Sequence, residues 1–377
     1  MNQSYREQAD AKHVQMIREI IRELPQACGD YLRAITITTS SLTRLAYAID
    51  LKTFFHFLQT ERVAFSHKKL YEMTDRDLEL LTSSDLAAYI DYLTFYYKDE
   101  SDKDPDNVLK PIVNHELSIK RKLCSIRSLY DYLFKQQRIQ SNIPQLVDLP
   151  KIHEKPIIRL ERDEMQKILS IAESGEMLTE RQLRYQKLTA RRDYAILSLF
   201  LGTGIRVSEL VGLNLDDIDL EENAFLITRK GGNQVVLYFP PEVAEAIADY
   251  LAERHLIETL PGHEDALFLS LQKRRITQRA VQLLVKKYAA HAAPLKSKIT
   301  PHKLRSTYAT NLYHATGDIY LVADMLGHSS VDTTRKHYAD MTDQRRRMAA
   351  SSVVLPGREP LPESEDRSKI DSPEAAK

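Results

Sequence analysis

The sequence predicts a mainly α chain with one small antiparallel sheet, an α+β class, divided into two domains. Three observations carry that class. Apolar residues recur at helical spacing along most of the chain, as amphipathic helices require. A hairpin-type alternation lies on either side of Gly231, Gly232 and Asn233. The chain of 377 residues exceeds the ~250–300 that one core usually holds, and Pro144, Pro150 and Pro156 punctuate it near the middle.

Taken in order, residues 5–32 suggest a helical piece within an N-terminal extension, 1–35. Residues 38–60 read as a helix, with Leu45, Ile49 and Phe57 among its apolar positions. Ser84 or Asp85 could cap a second helix running to about Tyr97. Residues 99–113 are acidic and broken by proline, which predicts a loop. In the helix expected over 115–138, Ile119, Leu123, Ile126, Tyr130 and Leu133 fall on one buried face. The first domain is expected over 36–138 and a linker over 139–160. A second domain follows over 161–350, with helices beginning near Glu161 and at 189–201, and two short strands within 223–239. Helical patterns return at 241–258, 277–292, 302–315, 318–327 and 332–350. Residues 351–377 are expected to be a disordered tail, since proline, glutamate and serine dominate beyond Leu355.

Composition excludes several classes. Apolar content of 43% and charged content of 28% are those of a globular protein. No apolar run approaches the ~20 residues that span a bilayer, and the first residues are too polar for a secretory signal. Cys28 and Cys124 have neither metal-ligand nor disulfide spacing. A cytoplasmic protein is expected. The formal net charge is zero, which argues against indiscriminate coating of nucleic acid, yet local charge is uneven. Residues 115–138 carry Lys120, Arg121, Lys122, Arg127, Lys135 and Arg138 against Glu116 and Asp131. Lys120, Arg121 and Arg127 are the candidate DNA contacts.

Three motifs carry chemistry. G-T-G-I-R-V-S-E-L (202–210) places Arg206 after a glycine bend, where a guanidinium fork can meet phosphate oxygens. Glu209 would orient Arg206 or support the helix. T-P-H-K-L-R (300–305) puts His302 and Arg305 one helical turn apart on a shared face. L-G-H-S-S-V-D-T-T-R-K-H-Y-A (326–339) holds His328 and Tyr338. Lys230 stands at the hairpin turn. A tyrosine phenolate can attack phosphorus when cations neutralise the developing charge. Two arginines and two histidines would do that, while a lysine could protonate the leaving 5′ oxygen. Two-metal carboxylate sets and a nucleotide-binding glycine loop do not accompany these residues, so no metal and no cofactor is expected. Asp216, Asp217 and Asp219 read as a polar helix-to-strand connection.

Over nearly all of 36–345 these motifs, in this order, make the chain resemble the tyrosine recombinases, the family of phage integrases and Xer-type site-specific recombinases. S-I-R-S-L-Y-D-Y-L (125–133) and T-R-K-G-G-N (228–233) resemble the XerS-type branch in particular. The resemblance implies that Arg206, Lys230, His302, Arg305 and His328 are catalytic and that Tyr338 is the nucleophile forming a 3′-phosphotyrosine. It implies a helical core-binding domain (36–138) and a catalytic domain closing as a clamp around double-stranded DNA. It further implies a homotetramer on paired sites with a Holliday junction between exchanges, with no membrane and no small-molecule substrate. One departure stands out: Tyr338 is ten residues beyond His328, where the family usually steps nine. A housekeeping, chromosome-partitioning role is expected. The alternatives are an integrase or excisionase of a mobile element, or a non-catalytic DNA-binding accessory protein.

Overall fold

The computed structural model describes residues 5–97, 111–153, 158–229, 232–296 and 298–327. The helix expected over 332–350, the tail, Lys230, His328 and Tyr338 lie outside them. The chain divides into two compact units, Met1–Pro156 and Ile157–Lys377, parting within the proline-punctuated stretch.

In the first unit α1 (Tyr5–Ile21), α2 (Gln26–Ala34), α3 (Ser41–Glu61), α4 (Asp75–Glu79) and α5 (Ser83–Thr94) precede a hairpin of β1 (Phe95–Tyr97) and β2 (Pro111–Val113). The long α6 (Glu116–Lys135) follows. Phe54, Phe55, Phe57 and Tyr89 pack with Leu123, Ile126 and Tyr130 in one core. Each such side chain removes enough apolar surface to contribute ~1.5–3 kcal/mol. The face that the spacing of α6 predicted is the buried one, Ile119, Leu123, Ile126, Tyr130 and Leu133 all lying inside. Residues ahead of 36 share that core. Cys28, Tyr31 and Leu32 of α2 are buried, and the Tyr31 hydroxyl donates to Ser128 Oγ at 2.6 Å.

Several expectations need correction, among them the loop expected over 99–113, whose last three residues are strand β2. The helix expected to reach Tyr97 stops at Thr94, and the aromatic run Phe95-Tyr96-Tyr97 pairs antiparallel with 111–113 in the register Phe95↔Val113. Aromatic side chains favour a pleated, half-buried surface. Its N-cap is Thr82 instead of Ser84 or Asp85. Asp85 is the N3 partner, its Oδ2 accepting from the Thr82 amide at 2.8 Å in a reciprocal capping box. The proline stretch is also partly ordered against the first core: a 3-10 turn, Ile143–Leu146, packs there with Val147 and Leu149.

The second unit runs α7 (Arg162–Ser174), α8 (Glu180–Gln186), α9 (Ala190–Thr203), α10 (Val207–Gly212), β3 (Ile218–Asp219), β4 (Ala224–Thr228) and β5 (Gln234–Tyr238). Then come α11 (Pro241–Arg254), α12 (Gln278–Ala292), α13 (Pro301–Thr316) and α14 (Ile319–Leu326). Helix α9 is the hub, with α7, α11 and α13 packed around it and Ala195, Ile196, Leu197, Leu199 and Phe200 wholly buried. The sheet is antiparallel in the order β3-β4-β5. Asp216 and Asp217 form the polar turn into β3, and the Asn214 amide donates to Asp217 Oδ2 at 2.8 Å. No helix of the described residues is long and apolar enough to cross a membrane.

Candidate active site

The site is assembled where α9, α10, α13 and α14 end or begin. Helix α9 stops at Thr203 because Gly204 takes a left-handed φ of +63°, its N–H reaching back to the Phe200 carbonyl. A side chain there is excluded twice over, since a Cβ would sit 2.4 Å from the Tyr308 ring. The reversal delivers Arg206 to the head of α10. Glu209, with only 6% of its side chain exposed, fixes that residue through both oxygens. The Arg206 amide donates to Oε2 at 2.9 Å and Nη1 donates to Oε1 at 2.8 Å. Of the two readings of Glu209, both hold: it orients the guanidinium and supports the helix start.

Helix α13 begins with Pro301 in its first turn, a position that needs no N–H. His302 and Arg305 follow one turn apart. Arg305 is buried, donating from Nη1 to the Gly204 carbonyl and from Nη2 to the Leu326 carbonyl. His302 lies exposed at the start of the helix. Burial pushes the Tyr308 hydroxyl above its ordinary range, with the Arg305 charge opposing that shift.

Helix α14 ends at Leu326, with Gly327 at a φ of +57°. Its last carbonyls have no partner within the helix and carry the negative end of its dipole. Three guanidinium groups from distant parts of the chain take them in turn. Arg229 Nη2 donates to Met325 O at 3.0 Å, Arg305 Nη2 to Leu326 O, and Arg206 Nη2 to Gly327 O at 3.0 Å. Two of these, Arg206 and Arg305, are expected site residues, and they converge on the turn immediately before His328. Arg206 keeps about 36% of its side chain open to solvent, so its fork can still meet an anion. No group of three or more histidine, cysteine, aspartate or glutamate side chains among the described residues could hold a metal ion.

The basic residues of α6 divide in character. Arg121 is exposed and paired with the fully buried Asp50, which also accepts from Lys122 Nζ at 3.2 Å and Ser125 Oγ at 2.8 Å. Lys120 is half-buried. Arg127 spends its guanidinium on main chain, Nε donating to Pro144 O at 3.0 Å and Nη2 to Val147 O. That ties the turn at 143–146 to α6. Arg229, which reaches the end of α14, belongs to none of the three motifs and stands out in the sequence only as the neighbour of Lys230.

Residues 159–345 match the profile of the phage integrase family. The tyrosine recombinase XerC of Caldanaerobacter subterraneus subsp. tengcongensis is 35% identical over 317 residues, covering 82% of this chain and 81% of that protein. The chain belongs to the phage integrase family. It is an Xer-like tyrosine recombinase, an enzyme that breaks and rejoins DNA strands at specific sites. Tyrosine recombinase XerD of Oceanobacillus iheyensis is 31% identical over 311 residues, covering 80% of this chain and 96% of that protein. Among solved structures, the XerH recombinase bound to palindromic difH substrate in a post-cleavage complex aligns with a TM-score of 0.59 at 22% identity. It covers 83% of this chain and 80% of that one. The Tn1549 transposon integrase in complex with circular intermediate DNA gives 0.59 at 19% identity, covering 85% and 98%. At such identities the likeness speaks for the fold.

Proposed function

We propose that this recombinase cleaves DNA by attack of the Tyr338 phenolate on a backbone phosphorus, forming a 3′-phosphotyrosine bond as the 5′ oxygen departs. Arg206 and Arg305 neutralise the charge that builds on the non-bridging oxygens, with His302 and His328 as further donors. Lys230 gives its proton to the leaving 5′ oxygen. The bond energy stays in the phosphotyrosine, so a 5′ hydroxyl from a partner strand reverses the step without external fuel. Four protomers on two sites, active in alternating pairs, would pass through a Holliday junction. The work is housekeeping recombination in the cytoplasm, of the kind that keeps chromosomes separable.

One observation carries this reading. Arg206 and Arg305, distant in sequence, are brought to adjacent carbonyls of one turn, held there by Glu209 and by Gly204. Preorganised donors of this kind cost no reorganisation when charge develops. The test is covalent capture from a random-sequence library of duplexes nicked so that the 5′ product diffuses away. The wild-type protein should yield denaturant-resistant adducts at the 3′ end, enriched in one sequence. Tyr338→Phe keeps the ring and should bind the recovered duplex without forming any adduct. Adducts persisting in the phenylalanine variant would remove Tyr338 from its role. Synapsis would be scored on the same duplex, and complexes never larger than two protomers would remove the tetramer.

A further inference from the structure

The two arginines that the motifs single out account for two of the three guanidinium groups at the end of α14. The third belongs to Arg229, and its surroundings on both sides are specific. Its main chain closes the turn of the β4–β5 hairpin: the Arg229 amide donates to Asn233 O at 2.8 Å, and its carbonyl accepts from Gly232 N at 3.1 Å. Its side chain crosses to another element, where Nη2 holds Met325 O at 3.0 Å. The guanidinium also lies flat on Gly327, so close that a Cβ at that position would fall 2.6 Å from its Cζ and Nη1. Gly327 is therefore required for two reasons, the left-handed φ and the arginine stacked on it.

We propose that Arg229 is a positioning residue for strand cleavage, a brace that locks the hairpin turn to the end of α14. In sequence the brace stands directly between Lys230 on one side and, across the contact, His328 on the other. Because it grips one residue upstream of each, it fixes the chain entering both positions with a single side chain. The interaction suits its place. A cation at a helix C-terminus is favoured by the dipole, and a rigid planar fork can bond a carbonyl while covering a glycine, which a lysine ammonium cannot do. Arg229 is not assigned contact with the phosphate. It acts through the two segments it ties.

The proposal rests on the roles given above to Lys230 and His328, so its test has one arm without DNA. In the free protein, Arg229→Ala should speed hydrogen exchange at the amides of both Gly232 and Gly327, which report the hairpin turn and the α14 end. Arg229→Lys should do so partially. In single-turnover cleavage of the recovered nicked duplex, Arg229→Ala should slow adduct formation by at least ~10-fold, the scale of one lost charge-assisted hydrogen bond. Part of that defect should vanish on a duplex whose 5′-bridging oxygen is sulfur, since a misplaced acid matters less to a leaving group that needs no proton. A merely structural residue would not produce that selectivity. Gly327→Ala adds the discriminating variant: it should be more damaging in the wild-type background than beside Arg229→Ala, where the guanidinium it would strike is gone. Unchanged exchange at both glycines, or equal damage from Gly327→Ala in both backgrounds, overturns the brace whatever the cleavage chemistry proves to be. Changed exchange with wild-type cleavage rates on both duplexes overturns its catalytic bearing alone.

Discussion

Replacing Glu209 with glutamine isolates what holds the first arginine. The carboxylate is nearly buried and accepts two bonds from one residue, the Arg206 amide at 2.9 Å and Nη1 at 2.8 Å. A glutamine keeps the shape and one acceptor oxygen, but its other terminal atom becomes an NH2 facing an N–H donor. One charge-assisted hydrogen bond is lost, about 1.5–3 kcal/mol in a buried setting. Arg206 is about a third exposed, so solvent screening reduces this to roughly 1–2 kcal/mol. If that energy holds the guanidinium in its cleavage pose, the cleavage rate of Glu209→Gln should fall ~5- to 30-fold. The melting temperature should drop only a few degrees. Half of the carboxylate's work is a helix cap, which also affects stability, so a rate defect alone is not decisive. A double-mutant cycle with Arg206→Ala separates the two contributions. With the guanidinium absent, Glu209→Gln has little left to misplace, and its effect on cleavage should shrink to less than ~3-fold. Additive rate defects would refute the orienting role and leave Glu209 as a cap.

Lys230→Ala should slow cleavage of an ordinary duplex strongly and cleavage of a 5′-bridging phosphorothiolate weakly; equal defects on both would make Lys230 a phosphate contact instead of the acid. Acid should weaken the first unit before the second. Burial raises the carboxyls of Asp30, Asp77 and Asp85, but hydrogen bonds and ion pairs outweigh it and leave all three below their ordinary range: Arg138 and Arg33 for Asp30, Lys68 and Thr74 for Asp77, Thr82 and Arg62 for Asp85. Groups depressed in the fold contribute stability that is present above the unfolded value, about 3.9, and is lost as pH falls below it. Asp217 of the second unit runs the other way: burial raises it, and Asp216 adds to the rise against the Asn214 amide and Arg275, so its contribution is present at low pH and lost as pH rises. Hydrogen exchange followed from pH 6 downward should therefore open residues of the first unit earlier; simultaneous opening of both units, or the second leading, would contradict this.

The helices that sequence periodicity located best are those with one apolar face and a local stop signal. Helix α6 declares itself by its spacing, and α9 by Gly204, because both depend on neighbours within a turn or two. The two short strand pairings are harder. Residues 218–219 are too few to show a period, and Phe95-Tyr96-Tyr97 continues a helical pattern until its partner at 111–113 is known. The site divides on the same line. Arg206, His302 and Arg305 stand in local motifs, which a sequence displays directly. The convergence of Arg206, Arg229 and Arg305 on three successive carbonyls is a tertiary event, and nothing in T-R-K-G-G-N tells that the Arg229 side chain reaches the end of a distant helix.

The charge of α6 shows why composition cannot stand in for a binding face. Counted along the sequence, six cations against two carboxylates look like a stripe made for phosphates. In the fold, Lys122 and Arg121 share the buried Asp50, Arg138 bridges Asp30 and Asp75, and Arg127 is consumed by the carbonyls of Pro144 and Val147. Lys120, Arg127 and Lys135 are the cations of that run without a carboxylate partner among the described residues. The carboxylates that pair with Arg121, Lys122 and Arg138 come from α2, α3 and α4, far upstream, so no window along α6 could reveal them. Arg127 keeps its charge but is held half-buried on the main chain of its own unit, whereas the exposed Arg121 can turn from its carboxylate toward a phosphate at the cost of one partly screened pair. We propose Lys120 and Arg121 as phosphate contacts ahead of Arg127, whose side chain has its bonds in the wall of its own domain.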